Sequence, residues 1–375
     1  MHLRRYLSGT AAFGWHVVCC ADHRARAAGP GADASLQLRG ETGMTVTTKA
    51  SMPRSLLAAF AAAALSFVAL PAQAQTTLKW AYVYEPAEPH HKGAVKAAEL
   101  IEQRTGGRYK IQLYPSATLG KESDLNQGLS LGTVDIIISA ASFQAQVSKP
   151  LGVTYFPFAF RDFDHVQAYA KSDLYKRLAD GYEKATGNRI VALTYAAERH
   201  VTASRPILTP ADMKGLKIRV PDAAAYMAFP KALSANPTPI ALAEVYTALQ
   251  SGVVDAQENA FNTIWSKKFH EVQKHIMLTG HVIDVLNTVI GGATWKKLSD
   301  ADKAIFVQAM QEGSLHASTL IRDEDDKLRQ EIVKAGTSTI HTVDKAAFQK
   351  AVLASSKPAD FGFVQADFDA LVALK

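Results

Sequence analysis

Three side chains stand where α/β folds gather their polar groups, at or just beyond strand ends: Arg199, Arg219 in the run KIRVP (217–221) and Asn259 in QEN (257–259). A guanidinium is charged at any relevant pH, and its planar fork matches a carboxylate through two parallel hydrogen bonds. An amide supplies both a donor and an acceptor. Together they could anchor a small acid in a cleft, because a buried carboxylate must be paired and hydrogen-bonded. Either arginine alone reads equally well as a solvated loop residue.

Catalytic constellations are missing from the chain. It has no G-x-x-x-x-G-K-[ST] phosphate cradle, no G-x-G-x-x-G after the first strand and no G-x-S-x-G elbow. His270, Glu271 and His275 miss the zinc-helix spacing by one residue; at i, i+5 the imidazoles diverge by about 140° around a helix axis. His90 and His91 are adjacent and would diverge on a helix, so capping or surface roles suit them better than metal ligation. No metal, cofactor or catalytic residue is expected.

The elements that position these groups alternate. Strands are expected at 78–83, 109–114 and 134–139, with helices at 90–103 and 122–131 between them. Helices around 164–169 and 174–186 lead to a strand at 190–195. A second unit follows: strand 216–220, helix 223–233, strand 237–240, helix 243–249 and strand 253–256. The β-α-β order implies mostly parallel sheets covered by helices. LSLGTVD (129–135) and LQSGVVD (249–255) echo each other, each a helix end, a glycine suited to a left-handed cap and a strand opening on Val-Asp. Two such lobes place a cleft at their strand carboxyl ends. One long helix over 299–336, capped by Ser299 and ended by Gly336, would brace both, with Gly313 as a bend.

Seven of the 41 Lys and Arg but only three of the 35 Asp and Glu precede Gln75, leaving 34 against 32 in the remainder. Nothing in that near-neutral body suggests a nucleic-acid partner. Residues 44–74 read as an export signal: Lys49 and Arg54, an apolar run over 56–70, then Ala72-Gln73-Ala74 with cleavage before Gln75. The run is short for a membrane span. Residues 1–43 fit no targeting pattern, and translation is expected to start at Met44. Both cysteines, Cys19 and Cys20, lie in that segment, so the body has no thiol chemistry.

YKIQLYPSATLG (109–120), ADMKGLKIRVP (211–221), NPTPIALAEVYTALQSGVVDAQEN (236–259) and KKFHEVQKHIMLTGH (267–281) occur in the order found in the DctP-type receptors of tripartite ATP-independent periplasmic (TRAP) transporters, which this chain resembles from Thr77 onward. The resemblance implies a two-lobed α/β periplasmic binding protein, with a mostly parallel sheet in each lobe, an interlobe cleft and a long bracing helix. It implies lobe I at 75–196 with part of about 285–325, and lobe II at 197–284 with part of about 326–375. Arg219 becomes the carboxylate-pairing arginine, Arg199 its support and Asn259 the orienting amide. The implied partners are a small organic acid and the small and large integral membrane subunits of a TRAP transporter, the receptor itself not being membrane-embedded. Ala256 and Ala260 replace the family's usual Gly and Pro, which bears on loop geometry. Leu242 stands where the sialic-acid branch has a pocket Phe, and the acidic and basic pocket residues of that branch fall on Ala140 and Phe143, which argues against that ligand. Further cleft candidates are Tyr82, Glu85, His91, Glu122, Ser142, Phe143, Glu198 and Asp222. Their hydroxyls and carboxyls favour a hydroxylated acid such as a sugar acid or uronate; a C4-dicarboxylate or an aromatic acid is the alternative, and a two-lobed periplasmic enzyme acting on such acids the alternative from another class.

Overall fold

A computed structural model describes residues 75–375; the expected start and export segments lie outside the described residues. Strands β1 (Thr76–Ala81), β2 (Tyr109–Tyr114) and β3 (Ile136–Ala140) form a parallel group in the order β2-β1-β3. The helix α1 (Pro89–Arg104) joins the first two, and α2 (Glu122–Leu131) the second pair. A proline at its first position and Ala94, Ala97 and Ile101 on one face make α1 an amphipathic crossover.

Two long strands come next, β4 (Arg189–Ala203) and, later in the chain, β8 (His275–Ile290). Between them, β5 (Lys217–Val220), β6 (Asn236–Pro239) and β7 (Ala256–Asn259) make a second parallel group in the order β6-β5-β7. The echo seen in the sequence is matched in geometry. Gly132 and Gly252 both have positive φ, and the amides of Asp135 and Asp255 donate to the Lys79 and Lys217 carbonyls of the neighbouring strands. The two parallel groups are joined into one nine-stranded sheet, β2-β1-β3-β8-β4-β7-β5-β6, by the antiparallel β4–β8 pair, with β9 (Thr339–His341) on β8. The sequence pattern suggested a strand ending at residue 195 and none at 275–290. Continuous burial of β4 and β8 on both faces removed the alternation that would have marked them.

The β4–β8 ladder is irregular in its middle. Register shifts fall between Tyr195 and Glu198 and between Arg199 and Val201, and Ala197 takes a φ of 75°. A side chain is strained there, so the bulge is imposed by its surroundings. Three apolar clusters flank this zone. The largest includes Trp80, Ile137, Leu193, Val289 and Phe306; a second holds Val201, Ile218, Met277 and Phe348; a third holds Val245, Phe261, Ile276 and Ile332. The tail returns to the first: Phe363 and Leu371 belong there, Leu371 O bonds His165, and Arg161 donates to the carbonyls of Val372 and Leu374. Only part of 326–375 therefore packs with the second and third clusters.

The 36-residue helix α3 (Asp300–Ala335) touches both sides, with Phe306 and Met310 in the first cluster and Ile332 in the third. Ser299 caps it by accepting from the Asp302 amide, and Gly336 ends it at φ 64°. Ser318 accepts the Tyr195 amide just before the bulge. Gly313 has a reason other than bending: a Cβ there would lie 2.5 Å from Gly93 O, and one on Gly93 would lie 2.6 Å from Gly313 O. The backbones of α1 and α3 touch at this crossing. Gly313→Ala should cost about 1–3 kcal/mol of stability through overpacking, whereas Gly181→Ala, in a helix with open space around it, should gain up to about 1 kcal/mol. Thermal unfolding of the two variants side by side checks this; equal melting temperatures would remove the close-crossing account.

A candidate carboxylate-binding cleft

Arg199 lies within β4, between the two register shifts of the irregular stretch. It is almost fully buried. Its Nε and Nη2 donate to the two Glu258 carboxylate oxygens at 2.5 and 2.7 Å, Nη2 also donates to Glu258 O at 2.7 Å, and Nη1 donates to Asp284 Oδ2 at 2.8 Å. The guanidinium lies over the Tyr226 ring, 5.0 Å from its centroid. Burial works against the Arg199 charge, but Glu258 outweighs it and holds the arginine protonated. Burial likewise opposes the Glu258 charge, yet Arg199 and His281 bring its carboxyl down to about 2. Asp284 also accepts from the hydroxyls of Tyr155 and Tyr226. This network is closed upon itself.

Arg219 is the contrast. It is 1% exposed on β5, and among the described residues its one side-chain hydrogen bond is from Nε to Ile240 O at 2.9 Å, while its buried Nη1 has no partner. Burial pulls its pKa down to about 10, against the attraction of Glu258 and Glu122. Asn259 ends β7, on the same face as Gln257, to which its amide donates at 3.3 Å. The expected strand at 253–256 is in fact 256–259, so Asn259 is its last residue rather than the residue after it.

Arg199, Arg219 and Asn259 line one cavity, together with Tyr84, His90, Glu122, Tyr226, Leu242, Thr263 and Asp284. A second small space, bordered by Phe143, Lys121 and Asp222, shares Glu122, Arg219 and Leu242 with it. Asp222 lies 4.0 Å from Lys121, and Gln146 donates to Asp222 O at 3.2 Å, so side chains from the two parallel groups meet across this rim.

Several expected cleft residues lie elsewhere. Tyr82 is buried and hydrogen-bonded to His91 at 2.8 Å, away from the cavity. The residues at the wall are Tyr84, two positions on, and His90, one position back. On α1 the buried face runs His90, Ala94, Ala97, Ile101, and its 3.6-residue period was the signal that separates His90 from His91. Glu85 pairs with Lys267 and accepts from Ser116, bordering an outer groove instead. Glu198 alternates with Arg199 and pairs outward with Lys345 at 2.7 Å. Ser142 is buried behind the wall. Glu258, Tyr226, Thr263 and Asp284 escaped the sequence reading because ordinary strand and loop residues acquire their roles only through tertiary contact. His270 bonds Thr337 and His275 bonds His341, in separate places.

Residues 80–358 match the family model described as bacterial extracellular solute-binding protein, family 7. The chain belongs to that family. The receptor is 33% identical over 300 residues to the 2,3-diketo-L-gulonate-binding periplasmic protein of Escherichia coli, covering 80% of this chain and 91% of that one. It is 35% identical over 252 residues to the sialic acid-binding periplasmic protein of Vibrio cholerae, covering 67% and 78%. Among solved structures, a TRAP periplasmic solute-binding protein from Polaromonas, bound to D-erythronate, superposes with a TM-score of 0.77 at 33% identity, covering 80% of this chain and 99% of the other. The architecture is thus that of a two-lobed TRAP solute-binding receptor. Among the described residues, no helix is long and apolar enough to cross a membrane.

Glu122 gives the cleft a pH signature. It opens α2 and is half-buried; burial pushes its carboxyl up to about 7, against the pull of Arg219 and Arg199. Between the ordinary carboxylate range and about 7, the folded protein holds this proton and the unfolded chain has lost it, so ligand-free stability falls as pH rises through that window. Burial pushes the Asp284 carboxyl up as well and adds the same sign. Glu122→Gln should flatten the decline in melting temperature between pH 5 and 7.5 while leaving the Asp284 part. An unchanged slope in the variant would show that Glu122 is ordinary.

Proposed function

We propose that the cavity holds a small hydroxylated organic acid, a sugar acid or uronate, with its carboxylate on Arg219 and Asn259. The observation that carries this is the buried Arg219 guanidinium with an unpartnered Nη1 in the cavity wall. A buried donor of that kind calls for an anionic acceptor. Arg199 cannot take the role, since its nitrogens are committed to Glu258 and Asp284; it fixes the floor on which Arg219 works. Relatives that bind 2,3-diketo-L-gulonate and D-erythronate support a polyhydroxylated acid. Leu242 in the wall, where a pocket Phe would serve a sialic acid, argues against that larger ligand.

The receptor then passes its acid, in the periplasm and after removal of residues 44–74, to a small and a large integral membrane subunit driven by an ion gradient. Binding without turnover is the reading that fits a site built of an arginine anchor and closed carboxylate pairs. Arg219→Lys keeps the charge and loses the fork; it should weaken binding by about 2–5 kcal/mol with the melting temperature of the free protein retained. Calorimetry with D-erythronate and L-galactonate measures this, and unaltered affinity in the variant would rule out Arg219 as the anchor.

Wall residues come from both parallel groups, Tyr84, His90 and Glu122 from one, Arg219, Leu242 and Asn259 from the other. A ligand gains its full contact set only when the lobes approach, so binding shifts an open–closed equilibrium. The hinges are the bulge at Ala196–Arg199 and the facing stretch of β8 at 282–287. Small-angle scattering should give a smaller radius of gyration at saturating ligand; an unchanged radius would dismiss hinge closure.

A further inference from the structure

The cavity wall contains a second unmet demand. Of the polar atoms buried without partners, those on residues lining the cavity are Arg219 Nη1 and both ring nitrogens of His90. His90 is 2% exposed and its ring is stacked on Tyr84 at a centroid distance of 4.2 Å, so its orientation is fixed by packing. Its Nδ1 lies 3.6 Å from Glu88 Oε2, too far for a hydrogen bond but close enough to bias the tautomer. Glu88 is itself anchored, accepting the Glu85 amide at 2.9 Å and the Thr263 hydroxyl at 3.4 Å. An acceptor beside Nδ1 draws the ring proton there and leaves Nε2 as a bare acceptor.

Resting on the carboxylate reading of Arg219, we propose that His90 is the specificity-determining residue of this receptor, accepting a hydrogen bond from a hydroxyl of the bound acid. A bare imidazole nitrogen suits an O–H donor. It gains nothing from a methylene, and it repels a second carboxylate, which has no proton to give. The buried orphan thereby selects hydroxylated monocarboxylates over both deoxy acids and dicarboxylates. A polar site left unpaired by the wrong ligand is the strongest form of such selection.

Calorimetry with two matched sets tests this: D-erythronate, butyrate and succinate at four carbons, and L-galactonate, hexanoate and adipate at six. The wild-type protein should prefer the hydroxylated member of at least one set by about tenfold or more, the scale of one unsatisfied buried group. His90→Phe should reduce that preference to less than about threefold while binding through Arg219 persists, and His90→Gln, which keeps an acceptor, should restore it. If wild type binds acids but prefers the dicarboxylate, or if His90→Phe keeps the preference, the His90 assignment is overturned and the carboxylate reading stands. A lower melting temperature with unchanged preference would place His90 with Trp80, whose Nε1 is also buried without a partner beside the small rear space that His90 borders, and would likewise overturn the assignment. Failure of wild type to bind any of the six acids would remove the carboxylate reading and this inference together.

Discussion

Arg199 is satisfied from within, and that one fact shapes the cleft. Glu258 takes two edges of its guanidinium and Asp284 a third, so β4, β7 and β8 are tied together at the bulge. Removing one member would strand the others as buried charges, which is far more costly than the network is stabilising. The positive φ at Ala197 persists because these bonds over-determine the backbone around it. Arg219, sharing the cavity, makes no side-chain hydrogen bond to a carboxylate among the described residues. Its charge is left to be answered from outside.

The architecture serves this arrangement by symmetry. Two groups with the same strand order, β2-β1-β3 and β6-β5-β7, face each other across β4 and β8. Their strand carboxyl ends and helix starts converge on one space, which is why Glu122 at the start of α2 and Leu242 at the start of its counterpart both line it. A 36-residue helix spans the back, carrying core residues of two clusters and holding the Tyr195 amide beside the bulge.

Much of this was legible in the residues. Tyr109–Tyr114, Glu122–Leu131 and the long helix announce themselves through alternation, glycine stops and a serine cap, and the site triad sits in runs specific enough to carry a family resemblance. What stayed hidden has physical causes. Strands β4 and β8 are buried on both faces and lose their period, so the bridge between the parallel groups was invisible. His90 and His91 differ only in which face of α1 they fall on, and Tyr82 and Tyr84 follow β1 in irregular chain where no period tells which one reaches the wall. Glu258 and Asp284 look like ordinary acids until a buried arginine reaches them.

The route of the chain carries its own consequence. A central strand beside β3 is supplied by residues 286–290, and the first core is finished by Phe363 and Leu371, near the last residue. Contacts so distant in sequence must wait for the whole polypeptide and form slowly. An emerging chain that lacks these segments has no complete first core to collapse into: half-made, it offers open strand edges rather than a finished lobe.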